Sequence, residues 1–224
     1  MAAIGIFSVA AWFFSKPLLE FLISPLRSRG NYTLYFHSPY EAFLTRLKVS
    51  LLAGILAASP VIFTELWLFV APGLHRRERK TIFLLIFCSV LLFAVGAAFA
   101  YFLLVPWGLR FFLEFQTDSL RPLLSIDPYF SFLLGMVLAC GIVFDLPVVV
   151  LGLVSAGILS ASSLRKARKG VIVLAFVVAA VITPTTDPVA QTLLSLPLIL
   201  LYEICVWVAQ WMKGNQKSKI ENRK

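Results

Sequence analysis

The sequence predicts an all-α, polytopic membrane protein: six transmembrane helices bent round a concave face, with both termini cytoplasmic. Three observations carry this. The first is composition, since 60% of the 224 residues are hydrophobic and 14% are charged, with 20 Phe, and the mean hydropathy is +0.90. A soluble domain is about 45–50% apolar with about a quarter of its residues charged. The second is a series of apolar runs of membrane-crossing length. The third is that basic clusters fall between alternate pairs of runs. A soluble enzyme, a nucleic-acid-binding domain and a disordered tail are thereby excluded. The net charge of +9 has meaning only through where the charges lie.

The runs divide one membrane domain, 1–224, into spans of about 1–26, 43–70, 81–105, 129–154, 170–183 and 188–211. A helix needs roughly 20 apolar residues to cross the hydrocarbon core. Met1 to Ser15 reaches only roughly 22 Å at about 1.5 Å per residue. Either this span lacks its beginning or it continues through Leu18 to Leu26. A cleaved signal peptide is the alternative, with no basic n-region or small-residue cleavage site to support it. Val49 to Val70 qualifies with Glu65 inside, Ile82 to Val105 is uncharged, and Tyr129 to Leu164 carries only Asp145. Gly170 to Trp211 is too long for one span. Thr183-Pro184-Thr185-Thr186-Asp187-Pro188 breaks it into two short helices.

Basic residues set the orientation. Arg76, Arg77, Arg79 and Lys80 follow span two; Arg165, Lys166, Arg168 and Lys169 follow span four; Lys213, Lys217, Lys219, Arg223 and Lys224 follow span six. If the spans alternate, all lie on one side, which the positive-inside rule makes cytoplasmic. Most of the charge is therefore a topology signal. At the outer side, Ser38-Pro39 with Glu41 reads as an N-cap, a first-turn proline and a capping-box acid. Asp127-Pro128 and Asp187-Pro188 repeat the cap and proline. Trp12, Trp67, Trp107, Trp207 and Trp211 fall towards span ends, where interfacial anchors belong. Cys88, Cys140 and Cys205 lie in apolar runs with neither metal spacing nor a disulfide pattern.

Ionisable residues inside spans are costly and point to function. Asp145 lies about 25 Å along its helix from Pro128, and Glu203 about 22 Å from Pro188. Glu65 sits at a similar depth, just before Trp67, with Glu78 in the loop below. Gathered round one concavity, these acids would form a cytoplasm-facing site for a cation, above all arginine, whose planar fork matches a carboxylate. Each also has a structural alternative. Glu65 can be an ordinary interfacial charge and Glu78 a counter-charge to its basic neighbours. Asp145 can seal a kink at Pro147, and Glu203 can be an interhelical hydrogen-bonder. Asp187 is first a helix cap, and Gln191 is helix–helix glue.

Catalytic signatures are lacking: there is no Walker A, HExxH or GxSxG pattern. The two histidines, His37 and His75, fall in loops on opposite sides. Neither an enzyme nor a cofactor or metal is expected.

Three strings carry a family resemblance. Ser59-Pro60-Val61-Ile62-Phe63-Thr64-Glu65-Leu66-Trp67-Leu68-Phe69-Val70-Ala71-Pro72-Gly73-Leu74, with His75-Arg76-Arg77-Glu78-Arg79-Lys80, resembles the second span and first cytoplasmic loop of the TatC family. Gly141-Ile142-Val143-Phe144-Asp145-Leu146-Pro147 resembles that family's fourth span. Thr183-Pro184-Thr185-Thr186-Asp187-Pro188-Val189-Ala190-Gln191, running on to Leu196-Pro197-Leu198 and Leu201-Tyr202-Glu203-Ile204, resembles its last hairpin. The resemblance implies a receptor subunit of the twin-arginine (Sec-independent) protein translocase in the cell inner membrane. Such subunits bind the paired arginines of signal peptides on folded cargo. They recruit the single-span subunits TatA and TatB in an oligomeric complex driven by the proton-motive force. It further implies that Glu78, Phe69, Pro72 and Leu74, with Glu65 close by, form the signal-peptide surface. Asp145 becomes the intramembrane acid, while Asp187 and Gln191, with Glu203 beyond them, lie on the hairpin and sixth span where partners meet.

Three departures stand out. The family's leading amphipathic segment, with a glutamate that shares the arginine site, is absent from the sequence as given; a mis-called start or a trimmed sequence is expected here, with functional loss the alternative. The fourth-span acid is Asp where the family usually has Glu, and Glu65 stands where Gln is more usual. A small secondary transporter with an intramembrane acidic site is the alternative function, because broken helices and buried acids mark substrate sites there too. No internal repeat supports it.

Overall fold

The computed structural model describes residues 2–27, 34–70, 79–114, 124–155, 158–182 and 188–221. Among these described residues are eight α-helices: α1 (Ala2–Phe13), α2 (Ser15–Arg27), α3 (Pro39–Val70), α4 (Arg79–Phe99), α5 (Val105–Glu114), α6 (Ile126–Ser155), α7 (Ala161–Ile182) and α8 (Pro188–Glu221). A π-helical stretch, Ala100–Leu104, joins α4 to α5 without a break. Pro39–Phe69, Ile82–Phe111, Ile126–Ser155 and Gln191–Gln210 are each long and apolar enough to cross a membrane. A large share of their Phe, Leu and Val side chains is exposed; Phe83, Phe87, Leu91 and Val95 follow one another along α4. That is the surface of a protein solvated by lipid.

The first apolar segment is not one straight span. α1 and α2 meet at 82°, around a turn at Phe14. Pro17, in the first turn of α2, has no N–H to return to the Phe13 carbonyl, so the helical ladder stops there. α1 packs along α3, close enough that a Cβ on Gly54 would strike the Ser8 backbone. α2 turns across the end of the bundle, burying Leu22, Pro25 and Leu26. Pro25 in turn leaves the Phe21 carbonyl without its i+4 donor. The Tyr101 hydroxyl fills that vacancy at 2.6 Å, and its ring stacks on Phe21 at 4.8 Å. Tyr129 donates to the neighbouring Leu22 carbonyl at 2.8 Å. A buried carbonyl left unpaired costs about 1–3 kcal/mol, so two tyrosines from different helices hold α2 in place.

α6 is the central helix, packing on α3, α4, α7 and α8. Its contact with α4 depends on two glycines. A Cβ on Gly96 would lie 2.7 Å from the Cys140 carbonyl oxygen, and one on Gly141 would lie 2.7 Å from the Phe93 ring. Without a hydrophobic drive between helices in lipid, such close backbone approach supplies the dispersion contact. The main core fills the space around it, with Phe130, Leu133, Leu104 and Leu194 fully buried.

The expected helix starts are met, with adjustments. α3 begins at Pro39, but Glu41 accepts from the His37 N–H at 3.0 Å rather than from that of Ser38. Two-residue strands, β1 (Leu34–Tyr35) and β2 (Leu124–Ser125), pair in parallel and set the starts of α3 and α6 side by side. There Lys48 of α3 reaches Asp127 of α6 at 2.5 Å and Ser131 at 2.9 Å. Asp127 thus serves α6 as an early acidic residue and α3 as a counter-ion. α7 begins well before the predicted 170, because the charged stretch from Ala161 is helical too.

Candidate functional site

Among the described residues, the acids Glu65, Asp145 and Glu203 take three different environments, set by the helix face on which each falls.

Glu65 lies on the exposed face of α3, and Phe69, one turn on, is 88% exposed. Residues four apart on a helix are neighbours. The carboxylate and the aromatic ring therefore make one surface at the end of α3, continued by exposed Leu66 and Leu68. Pro72, Leu74 and Glu78 lie outside the described residues, as does Asp187.

Asp145 is only 6% exposed. It lies at the seam where α6 meets α4 and α3, on the side where Ser89 of α4 is placed. The Ser89 oxygen accepts the indole N–H of Trp67 of α3 at 3.0 Å. Ser89 is fully buried and Trp67 is 3% exposed. One carboxyl oxygen of Asp145, Oδ1, is buried without a hydrogen-bond partner among the described residues. Trp67 is thus no interfacial anchor, as its place near a span end had led us to expect. Its ring lies over Gly152 of α6, where a Cβ would overlap it, and it packs with Leu85 and Val148. α6 runs through Pro147 to Ser155, and the Pro147 carbonyl accepts from the Cys205 thiol at 3.5 Å.

Glu203 of α8 pairs with Arg168 of α7 at 2.9 Å, both side chains being over a third exposed. Beside it the Tyr202 hydroxyl donates to the Leu164 carbonyl at 2.8 Å. Towards the other end of the same pair, the Gln191 amide donates to the Phe176 carbonyl at 2.9 Å. These three bonds join α7 to α8; Glu203 bonds between helices but at the surface rather than buried, and Gln191 makes an interhelical bond. Among the described residues no group of three or more His, Cys, Asp or Glu is placed to hold a metal ion.

Sequence reasoning missed two groups. Ser89 is a lone hydroxyl in an otherwise apolar run, a weak signal that only its neighbours give meaning. Lys48 offered a stronger one, a cation inside a span, and it finds Asp127.

Comparison with known proteins adds a family. A family model described as "Sec-independent protein translocase protein (TatC)" matches residues 1–197. The chain is 40% identical over 207 residues to the Sec-independent protein translocase protein TatC of Desulforapulum autotrophicum, covering 91% of this chain and 76% of that one. It is 40% identical over 210 residues to the protein of that name from Aquifex aeolicus, covering 92% and 87%. With the chloroplastic TATC protein of Arabidopsis thaliana it shares 41% identity over 208 residues, covering 93% and 61%. A crystal structure titled as the twin arginine translocase receptor TatC in DDM superposes with a TM-score of 0.80, at 39% identity, over 93% of each chain.

Proposed function

The chain belongs to the TatC family of Sec-independent protein translocase proteins, and from that premise we propose that it is the receptor subunit of a twin-arginine translocase. In this reading it is a six-span protein of the cytoplasmic (inner) membrane with both termini inside. It binds twin-arginine signal peptides of folded cargo at its cytoplasmic face. It recruits TatA and TatB into an oligomeric complex in which the proton-motive force drives export. No catalytic group or cofactor takes part.

The observation that carries the signal-peptide reading is the pairing of Glu65 with Phe69 on the exposed end of α3. A carboxylate there meets a guanidinium as a planar, bidentate partner, and the exposed ring offers a face for cation–π contact or for the peptide's apolar stretch. Glu78, Pro72 and Leu74 follow in the next segment of chain, and we assign them to the signal-peptide surface on the family resemblance alone. Asp145 is the intramembrane acid offered to partner helices, with Asp187 and Gln191 on the far hairpin. Glu203 we assign to its bond with Arg168. With Glu203 so committed, the multi-acid site that a small-solute transporter would need loses one of its members.

The test is photocrosslinking of a twin-arginine signal peptide to the chain in membranes, repeated with Lys-Lys in place of Arg-Arg. Labelling by the arginine peptide alone is expected. Equal labelling by both peptides overturns the receptor reading. Unchanged labelling of a Glu78→Ala or Glu65→Ala variant removes only that residue from the site.

A further inference from the structure

We propose that the recess between α6, α7 and α8 is a site for an anionic phospholipid, with one acyl chain in the recess and the headgroup phosphate on the cations of α7. This goes beyond the receptor reading and does not rest on it.

The recess follows from how α7 is held. It packs closely on α8 and only sparingly on α6, so a gap is left between α6 and α7. Val143 and Val150 of α6 face Val171 and Val178 of α7 across it, over a floor of Leu198 and Tyr202 of α8. Each wall rises about 10 Å, the greater part of one leaflet of a hydrocarbon core about 30 Å thick. Leu146 and Leu174, 48% and 55% exposed, stand at its lips, so the recess opens to lipid. Its volume is about 220 Å³. A helix about 10 Å across would fill roughly 800 Å³ over the same length. A partner helix can therefore only lie across the lips, whereas a methylene chain enters.

Any lipid-facing surface is covered by acyl chains; what selects a lipid is the end of the recess. In the turns just before Val171, α7 carries Arg165, Lys166, Arg168 and Lys169. Arg168 is bonded to Glu203. Arg165, Lys166 and Lys169 are exposed and have no carboxylate partner among the described residues. Their flexible stems can carry the charges to headgroup level, and basic pockets between membrane helices take anionic headgroups. Between the cations and Leu174 lies Gly170, where even a Cβ would meet nothing within 4 Å, so the way from headgroup to recess is unobstructed. In the orientation proposed above this end lies in the cytoplasmic leaflet, whose surface is negative. A topology signal needs only the charges; it does not need a chain-sized recess above them.

The test reconstitutes the full chain into vesicles of phosphatidylcholine and phosphatidylglycerol in equal amounts, with a photoreactive group on the acyl chain of one lipid or the other. Each cation near the surface is worth roughly fivefold in affinity. Phosphatidylglycerol adducts on residues 143–150 and 171–178 should therefore exceed phosphatidylcholine adducts about tenfold. Arg165→Gln, Lys166→Gln and Lys169→Gln together should abolish that preference. Leu174→Trp is read beside them, because removing charges also weakens the orientation signal. It keeps every charge but fills the mouth of the recess, and should lower phosphatidylglycerol adducts severalfold with the melting temperature near wild type. Equal labelling by the two lipids means ordinary boundary lipid and overturns the proposal, as does a preference that survives the triple substitution. Undiminished adducts in Leu174→Trp put the acyl chain outside the recess and overturn it too. With TatA and TatB added, the adducts should persist; their loss for both lipids means that a partner helix occupies the recess instead.

Discussion

Two regions of the molecule hold an acid within a helix of membrane-crossing length, and they treat it in opposite ways. In the α7–α8 pair, Glu203 has a cation, Arg168, at 2.9 Å, and both side chains reach the surface. In the α3–α4–α6 seam, Asp145 has no ion pair among the described residues and one carboxyl oxygen buried without a hydrogen-bond partner. An acid satisfied within its own helix pair needs nothing further. A buried one with an oxygen unused is stable only because the surrounding packing enforces it. The difference teaches that an acid's depth in a span does not reveal its role; its neighbours do.

The contrast can be broken most severely at the seam itself. Gly96→Val would drive a side chain into the Cys140 carbonyl and Phe144, separating α4 from α6. Overpacking of this kind costs about 1–3 kcal/mol, occasionally more, and we expect the upper end because one obstacle is backbone. Thermal unfolding in detergent should show the largest drop of any single substitution named here, and a melt within a degree of wild type would contradict the close packing.

Next comes the comparison of the acids. Asp145→Asn should leave the melt near wild type but lower export of a twin-arginine reporter on the order of tenfold, the scale of one hydrogen bond to a charged group. Glu203→Gln should keep export within about twofold. Equal loss of export in both variants would erase the distinction between the two regions.

The Glu203–Arg168 bond is expected to be weak in spite of its location. Both groups are over a third exposed, and exposed pairs contribute about 0.2–1 kcal/mol. A double-mutant cycle with Arg168→Ala and Glu203→Ala should return a coupling in that range; a value several times larger would mean a buried, structural pair. The smallest effect belongs to Gln191→Ala, which removes a single interhelical bond to the Phe176 carbonyl. Bonds of this kind between membrane helices average about 0.6 kcal/mol. The same melt should register a slight fall with export unchanged.

Much of the architecture was legible in the residues. The apolar runs and the prolines at 39, 128 and 188 gave the order of the long helices, four of which, among the described residues, are each long and apolar enough to cross a membrane. The bend at Phe14 was only half legible. Pro17 was visible, but an apolar stretch of this length reads equally well as one span or two pieces, and the docking of α2 on Tyr101 and Tyr129 resolves it. Trp67 was misread because its distance from a span end is a one-dimensional measure. Which face of α3 it occupies, and that Gly152 makes room for it, depends on a helix more than 80 residues away in sequence.

Hydrophobic run length and charge placement are properties of contiguous sequence, and the membrane responds to them directly, because every backbone polar group in lipid must be satisfied within a helix. That is why fold class, helix order and the family motifs could be read from the chain alone. Pairing among helices has no such local signal. Whether an acid meets an arginine or nothing is decided by rotation and close approach of helices, which in lipid turn on a few glycines and single hydrogen bonds. Only the folded bundle separates Glu203, answered by Arg168, from Asp145, left with one oxygen open.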